Sequence, residues 1–397
     1  MTRPSGTLDF DAVEGTTWDA VVIGAGPAGA LAARQLALGG AGVLLVERAR
    51  FPRWKVCGAC LNGQALAALE SAGLGSLADH LGAIGLDEFR IGLGGRMISI
   101  ALPAGVAVSR ARFDTALVEE AKVAGVDELF ETQAVVEAVQ EGVRPVRLVY
   151  KGRKIRVGAR VVVAAGGLGN LAIERDAIGP RSHVAAGSHI GAGCLVEDMH
   201  IFYNEGTVFM AVGREGYVGL VRVECGRLNV AAAFDPEFVR SFGTPAKAAA
   251  QVLAKAGFPP VEALDHAVWR GTPGLTRRTW PLAEERLFLV GDATGYVEPF
   301  TGEGIAWAMA SALAVAPLAL RTVEGWRRRF VDDWADLHGR LVRRRQWVCR
   351  GLAMVLRRPW LAGPAFEVAA AAPVVARFIL GRLNAPAFAR SLETSRP

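Results

Sequence analysis

The chain has 397 residues, of which 51% are hydrophobic and 21% are charged, and its net charge is +6. This length is too great for one small core; it suits two packed lobes, or one large α/β domain with an inserted cap, in an ordinary soluble enzyme. Five scattered cysteines argue against a disulfide framework and for reduced thiols. We expect no nucleic-acid partner.

Residues 1–18 contain no apolar signal-peptide core, so we expect a cytoplasmic protein. The longest nearly uncharged run is 304–320, which contains Pro317 and is shorter than the roughly 20 residues of a membrane span. We therefore predict a buried helix there.

The first predicted elements form a strand–turn–helix–strand unit. Residues 19–23 are typical of a buried parallel strand, residues 28–38 of a helix and residues 43–46 of a second buried strand. The turn between the first strand and the helix has the G-x-G-x-x-G spacing. This order of elements predicts a Rossmann-like dinucleotide site.

Each glycine of that turn has a structural role. Gly24 permits the tight turn, Gly26 lets the backbone approach a pyrophosphate, and Gly29 lets helix and strand pack closely. The helix N-terminus offers free N–H groups to the phosphates, and Glu47 could accept hydrogen bonds from the adenosine ribose. The residues of this unit expected to bind the dinucleotide are Gly24, Gly26, Pro27, Ala28, Gly29, Glu47 and Arg48.

A loop with an unusual composition, FPRWKVCGACLN, follows at 51–62. Its Cys57 and Cys60 are a C-x-x-C pair, but a metal site needs two more ligands at usable spacing, and the other cysteines are isolated. We expect no metal. Cys57 could be a chemically active thiol or a small buried one, and Lys55 could contact the cofactor or be a solvated loop lysine.

The middle of the chain changes pattern. Residues 216–223 and 227–234 predict antiparallel strands, and residues 244–257 predict a helix. Apolar candidates for lining a substrate pocket are Phe202, Tyr203, Phe209, Met210 and Tyr217. A general base could come from His183, His189 or His200, but none has a sequence partner that marks it.

Near the C-terminus a second glycine-rich turn follows a strand, in the segment LFLVGDATGYVEPFTGEGI at 287–305. Beyond it, residues 326–358 contain ten arginines against three aspartates. This basic helical region could contact an anionic membrane or an acidic partner, cap a hydrophobic tunnel, or be a solvated helix face.

Three motifs together resemble the FAD-dependent oxidoreductases of the geranylgeranyl reductase and flavin-dependent monooxygenase (p-hydroxybenzoate hydroxylase-like) superfamily. They are the opening unit, the run VSRARFDTAL at 108–117 and the second glycine-rich segment. The resemblance implies non-covalent FAD, with Asp292 on the ribityl chain and amides near Gly302 and Gly304 at the flavin. Arg110, or Arg112 instead, would face the flavin or the ribityl chain. The second segment's expected contacts are Gly291, Asp292, Pro299, Gly302, Gly304 and Ile305.

The loop at 51–62 is similar to that of the geranylgeranyl reductase branch, in which a Cys-Gly loop packs under the flavin. The tryptophan-containing signatures of halogenases and prenyl reductases are missing around 216–221, however, and glycines 166 and 167 replace the Asp-Gly of many hydroxylases. Asp114 is expected to cap its helix. No second G-x-G-x-x-G exists, so electrons would come from transiently bound NAD(P)H, from another protein or from the substrate, and we expect NAD(P)H.

The predicted fold is α/β: a Rossmann-like FAD-binding domain of glutathione-reductase type, an antiparallel substrate sheet and a helical C-terminal region. The predicted division is 1–175 with 272–325, then 176–271, then 326–397. The expected activity is FAD-dependent oxidation or reduction of a hydrophobic small molecule, such as a phenol, isoprenoid or quinone. Oxygen insertion in a dry pocket is slightly favoured. The alternatives are prenyl-type alkene reduction and electron transfer at a membrane.

Overall fold

The computed structural model describes residues 8–168, 179–198, 200–298, 302–356 and 358–372, together with residues 377 and 381. Its strands are, in chain order, β1 (Thr17–Ile23), β2 (Val43–Val46), β3 (Cys60–Asn62), β4 (Ile84–Gly85), β5 (Glu88–Leu93), β6 (Arg96–Ala101), β7 (Gly105–Ala107), β8 (Asp127–Leu129), β9 (Gln133–Val136), β10 (Arg144–Tyr150), β11 (Arg153–Ala164), β12 (Arg181–Val184), β13 (Ile190–Val196), β14 (Thr207–Gly213), β15 (Gly216–Arg222), β16 (Leu228–Phe234), β17 (Arg270–Gly274), β18 (Arg277–Trp280), β19 (Ala283–Glu284), β20 (Leu287–Leu289) and β21 (Gly295–Tyr296). Its α-helices are α1 (Pro27–Leu38), α2 (Gly63–Ser71), α3 (Leu77–His80), α4 (Arg110–Val123), α5 (Pro236–Phe242), α6 (Pro245–Ala256), α7 (Gly304–Glu324), α8 (Arg329–His338), α9 (Arg344–Leu356) and α10 (Pro359–Ala371).

The first lobe is built on a sheet with the order β8-β2-β1-β11-β20-β19. The first five of these strands are parallel, and β9 and β10 extend β11 as an antiparallel branch. All seven side chains of β2 and β20 are buried, because helices and loops cover both faces of the sheet. The two glycine-rich turns follow β1 and β20 at the carboxyl edge of this sheet, where α/β folds bind ligands.

The second lobe is a seven-stranded sheet with the order β17-β13-β16-β15-β14-β5-β6. Its strands are antiparallel except for β14 and β5, which run parallel. β5 and β6 belong to the segment that sequence analysis assigned to the FAD-binding domain. They pair here because β14 offers its free edge to β5, and Phe89 packs against Met210 and Val212. The domain division itself stays a prediction.

Helix α6 packs against one face of this second sheet. Its N-cap Thr244 accepts a hydrogen bond from the Lys247 amide at 3.3 Å, and Gly257 ends it in the left-handed conformation. Phe202, Tyr203 and Phe209 belong to the core between α6 and the sheet. Of the two alternatives for these residues, pocket and core, the structure shows the core. Met210 points the opposite way from Phe209 because side chains alternate along a strand.

Helix α7 is the buried helix predicted from the uncharged run. It is the one described helix that is long and apolar enough to cross a bilayer, but 72% of its most apolar window is buried. It packs against α1 and α2 in the first lobe, with Ala, Leu and Met side chains in the shared core. This packing is that of a core helix.

Helix α8 begins the basic C-terminal region, which the structure describes to residue 372 and at residues 377 and 381. A single π-helical turn (Gly339–Arg343) joins it to α9. On its buried side the Trp334 indole donates to the Leu289 carbonyl at 3.1 Å, and His338 Nε2 lies 3.0 Å from Thr294 Oγ1. The helix thus supports β20 and the turn that follows it.

The stability of the protein should fall in mild acid because of His338. Burial, helped by Arg343, lowers the pKa of His338 to about 3 from its usual 6.5. Below pH 6.5 the His338 imidazole binds a proton in the unfolded chain but not in the folded chain. The contribution of His338 to the free energy of unfolding is fully present above pH 6.5. It decreases by about 1.4 kcal/mol per pH unit as the pH falls from 6.5 toward 3.

Urea unfolding of wild type and His338→Gln between pH 5 and pH 8 measures this contribution. The difference in unfolding free energy between the two should grow by about 2 kcal/mol in favour of the variant on going from pH 6.5 to pH 5. A pH-independent difference would contradict the assignment.

Candidate active site

The first glycine-rich turn is packed so tightly that side chains do not fit. A Cβ on Gly29 would lie 1.7 Å from the Gly24 carbonyl oxygen, and one on Gly24 would lie 2.5 Å from the Ala165 oxygen. Gly24 also has a φ of +100°, which other residues rarely adopt. The turn therefore brings the N-terminus of α1 directly against the ends of β1 and β11.

Two guanidinium groups face the second glycine of this turn, Gly26. A Cβ on Gly26 would lie 3.6 Å from Arg53 Nη2 and 3.8 Å from Arg110 Nη2. Gly26 is the N-cap of α1, whose free N–H groups favour an anion. Two cations and a helix N-terminus together suit a pyrophosphate. Sequence analysis quoted Arg53 in its loop but assigned it no role.

Asp114 holds these two arginines in place. Its buried carboxylate accepts from Arg110 Nε at 2.7 Å and from Arg110 Nη2 at 2.8 Å, and it lies 3.2 Å from Arg53 Nη1. The predicted capping role of Asp114 is wrong, because Ser109 is the N-cap of α4. Burial acts to lower the pKa of Arg110, but Asp114 and Cys57 raise it overall. Arg112 is the more exposed of the two candidates at 48%.

Glu47 lies at the end of β2 with both carboxylate oxygens engaged. Oε2 accepts from the Ala25 amide at 2.9 Å and Oε1 from the Ala49 amide at 3.0 Å, while Arg53 lies 3.6 Å away. A carboxylate oxygen has two lone pairs, so each can accept a further ribose hydroxyl. Arg48 is exposed and lines the cavity described below.

The loop at 51–62 lies between the two lobes. The Asn229 amide of β16 donates to the Cys57 carbonyl at 2.9 Å, and Arg270 of β17 donates to the Trp54 carbonyl at the same distance. Lys55 Nζ lies against Gly167, which follows the glycine at the place of the hydroxylase aspartate, since a Cβ on Gly167 would be 2.9 Å away. Burial and the nearby Arg110 lower the pKa of Lys55.

The second glycine-rich turn closes the site from the other side. Burial raises the pKa of Asp292, although Lys55, Arg110 and Arg277 act to lower it. Asp292 lines the same cavity as Lys55 of the loop and Arg110 of α4. The residues of this turn that line the common cavity are Gly291, Asp292, Gly302, Gly304 and Ile305. Pro299 lies outside the described residues.

One cavity of about 450 Å³ joins these parts to the second lobe. Gly26, Pro27, Ala28, Lys55, Cys57 and Arg110 line it from the first lobe and the loop. Its opposite wall is formed by small and apolar side chains of the second sheet, among them Phe89, Val208, Met210, Tyr217, Leu220 and Ala232. Met210 and Tyr217 are thus the two predicted pocket residues that reach it.

Sequence analysis missed a cluster of polar groups at this cavity. Tyr296 and Glu298 both line it, and His189 Nδ1 lies 3.2 Å and 3.3 Å from the two Glu298 oxygens. Burial raises the pKa of Tyr296 well above 10, and the charges of Asp292, Cys57 and Glu298 raise it further. The motif GYVEP gave the only signal, since both residues follow the second glycine-rich turn.

The side chains present fit FAD. The glycine positions leave room for close backbone approach, the cation pair faces a helix N-terminus, and a buried acid ends β2. A second acid, Asp292, lines the deeper part of the same cavity. Cys57 and Cys60 are both free thiols, and no group of three or more His, Cys, Asp or Glu side chains among the described residues could hold a metal.

Loss of either acid should weaken FAD binding. If Glu47 and Asp292 accept hydrogen bonds from the ribose and the ribityl chain, replacing either with alanine removes charge-assisted bonds worth roughly 1.5–3 kcal/mol. We expect the FAD dissociation constant to rise about tenfold to a hundredfold, as measured by fluorescence titration of the apoprotein. Glu285→Ala is the control. Unchanged affinity in both variants would show that these acids do not hold the cofactor.

A change at Cys57 should alter the bound flavin without removing it. Cys57 raises the pKa of Arg110, so its sulfur lies close to the guanidinium on the cavity wall. Cys57→Ser should therefore shift the flavin absorbance or the reduction rate. Cys60→Ser is the matched control, since the Cys60 thiol donates to the Gly58 carbonyl at 3.2 Å. A wild-type spectrum and rate in Cys57→Ser would end this assignment.

Three kinds of similarity agree with this geometry. The family model for an FAD binding domain matches residues 17–195. The chain is 30% identical to digeranylgeranylglycerophospholipid reductase 1 of Methanothermobacter thermautotrophicus, over 78% of each protein. It is 36% identical to the menaquinone reductase of Mycobacterium tuberculosis over 156 residues, which span 37% of that protein.

The fold matches solved flavoproteins as well. The structure of a flavoprotein/dehydrogenase from Cytophaga hutchinsonii superposes with a TM-score of 0.77 at 20% identity, covering 93% of this chain and 92% of that one. An FAD-binding domain, two lobes and a shared cavity are all present. The chain therefore belongs to the superfamily of FAD-dependent oxidoreductases that includes the geranylgeranyl reductases and the flavin-dependent monooxygenases.

Proposed function

We propose that the protein reduces carbon–carbon double bonds of a hydrophobic, isoprenoid-like small molecule. The observation that carries the proposal is the composition of the cavity, in which an apolar wall faces the FAD-binding residues and the proton donor Tyr296 lies on the same cavity. The similarity to two reductases whose names specify prenylated substrates supports the same chemistry.

Bound FAD would supply the electron pair for the substrate carbon. The chain's own residues have three tasks: to hold the cofactor, to exclude water and to deliver a proton to the second carbon. The small side chains of β15 and β16 that line the cavity leave space for a flat or extended substrate, and offer it no hydrogen bonds. An apolar substrate would bind there by burial of its surface.

Tyr296 would deliver the proton. Because burial and neighbouring carboxylates raise its pKa, the phenol keeps its proton at neutral pH. Arg110 acts in the opposite direction and would stabilise the phenolate formed when the proton leaves. His189 and Glu298 form a buried pair beside Tyr296, through which a proton from solvent could restore the phenol.

NAD(P)H would reduce the flavin from a transient site. The chain has one G-x-G-x-x-G motif, which the FAD-binding unit uses. Electrons must therefore arrive from a diffusing nicotinamide, another protein or a substrate.

Oxygen insertion is the second candidate. The apolar wall that faces the flavin-binding residues suits a reaction that water would abort. Sequence analysis favoured this reaction. Gly166 stands where many hydroxylases have an aspartate, and Lys55 lies against the next residue, Gly167, which favours reduction instead.

Product analysis separates these activities. FAD-loaded protein would be mixed with NADPH or NADH and a polyprenyl quinone or a prenylated lipid, first without oxygen and then in air. A reductase gives a product heavier by two hydrogens per double bond without oxygen. A monooxygenase gives product only in air, heavier by oxygen. Flavin reduction only by a protein donor, with neither product, would contradict both and indicate electron transfer.

A further inference from the structure

Helices α9 and α10, which pack against each other, expose several large apolar side chains, and we call the exposed side of this helix pair the outer face. Its apolar members are Trp347, Val348, Met354, Trp360 and Val368, with exposed fractions of 64, 52, 52, 68 and 60%. Exposed tryptophans are uncommon on a soluble surface, because each leaves a large apolar area in water.

The pattern along α9 is that of an amphipathic helix. At 100° per residue, Arg344, Trp347, Val348 and Met354 fall within an arc of about 120°. The opposite side is bound to the protein, since the buried Cys349 thiol donates to Glu303 Oε2 at 2.6 Å. The helix therefore has one face fixed on the FAD-binding lobe and one face directed outward.

The charge of this region has one sign. Residues 339–372 contain seven arginines and one acidic residue, Glu367. Arg96 of β6 pairs with that carboxylate, through Nη2 and Oε2 at 2.9 Å. Arg343, Arg344 and Arg358 are exposed beside the apolar members of the outer face. The outer face is therefore both apolar and cationic.

We propose that the outer face binds the surface of an anionic lipid bilayer. Tryptophan rings favour the boundary between headgroups and hydrocarbon, and arginines beside them favour anionic headgroups. A two-fold contact between copies of the chain would instead bring arginines against arginines. Charge complementarity thus selects the bilayer over a second copy.

Binding there would hold both lobes in one orientation. Helix α9 contacts the first lobe through Glu303 and Gly295, and α10 contacts the second sheet through Arg96. The outer face therefore cannot dock without carrying the whole catalytic unit to the bilayer surface.

Vesicle sedimentation with the FAD-loaded full chain tests the proposal. We expect binding to vesicles of phosphatidylcholine with phosphatidylglycerol, weak binding to phosphatidylcholine alone, and release by salt. Replacing Arg343 and Arg344 with glutamine should lower the partition coefficient about thirtyfold, from about 1 kcal/mol per arginine. Trp347→Ser with Trp360→Ser should lower it about tenfold or more.

Two controls make the result specific. Arg240→Gln and Ile201→Ser change an exposed arginine and an exposed apolar side chain of the second lobe and should bind like wild type. Unchanged flavin content confirms that each variant is folded.

Three results would overturn the proposal. The first is no binding to either vesicle, and the second is equal binding to both without a salt effect. The third is self-association of the wild type, measured by analytical ultracentrifugation, that the arginine or tryptophan variants abolish. That result would make the outer face an interface between copies.

Discussion

Replacing Asp114 with alanine should lower the free energy of unfolding by about 3–5 kcal/mol. The Asp114 carboxylate is fully buried and is bonded to Arg110 and Arg53, which are themselves largely buried. Its removal leaves the buried guanidinium of Arg110 without the carboxylate that pairs with it, and leaves Arg53 with Glu47 at 3.6 Å. Urea unfolding of the apoprotein measures the loss.

The matched control for this prediction is Asp79→Ala, which removes an exposed helix carboxylate and should change stability by less than about 0.5 kcal/mol. Asp114→Asn keeps the shape and provides a second measurement if the alanine variant does not fold. The double variant Arg110→Met with Asp114→Leu should regain stability but not FAD affinity, because it restores packing without the cation. A loss below about 1 kcal/mol in Asp114→Ala would refute this account of the pair.

Replacing Tyr296 with phenylalanine should lower the turnover number about a hundredfold or more, because a positioned general acid contributes roughly that factor. The change removes one oxygen from the cavity and leaves the ring and the FAD-binding residues in place. Flavin content and the rate of flavin reduction by NAD(P)H should stay near wild type. Rapid mixing experiments measure the two half-reactions separately.

Tyr217→Phe is the matched control, because it also removes one phenol oxygen from the cavity, from the wall that β15 forms. It should retain most of the activity. In Glu298→Gln the fall of turnover at high pH should begin at a lower pH than in wild type. The Glu298 charge raises the pKa of Tyr296, and the variant lacks that charge. Full activity in Tyr296→Phe would assign the proton to another group, and the double-bond reduction itself would still stand.

The parts of the fold that sequence predicts well are those set by local chemistry. The strand predicted at 43–46 is β2 residue for residue. The helix predicted at 244–257 is α6, with its cap residues Thr244 and Gly257 at the two ends. In each case a short apolar run, a glycine or a capping hydroxyl sits next to the element that it defines, so no distant contact is needed.

The parts that sequence could not supply depend on distant contacts. His189 and Glu298 are far apart along the chain, and neither carries a motif that names the other. Phe209 and Met210 could not be assigned to core or cavity, because the strand is apolar from Val208 to Val212 and buried at four of those five residues, so no alternation marks a face. Likewise, nothing local in β5 and β6 shows that they pair with β14.

The order of strands in the first sheet has a consequence for how the chain folds. β11 pairs with β1 on one edge and with β20 on the other. The pairing with β20 forms last, because β20 is synthesised only after all strands of the second sheet. Contacts this distant form slowly, and an unfilled edge of a central strand can join other chains. The turn carrying Asp292 follows β20 directly. Both glycine-rich turns can therefore contact FAD only when β20 has paired and the sheet is complete. FAD stabilises the state in which β20 is paired. In cells short of flavin that stabilisation is weaker, and we therefore expect this protein to accumulate as aggregates.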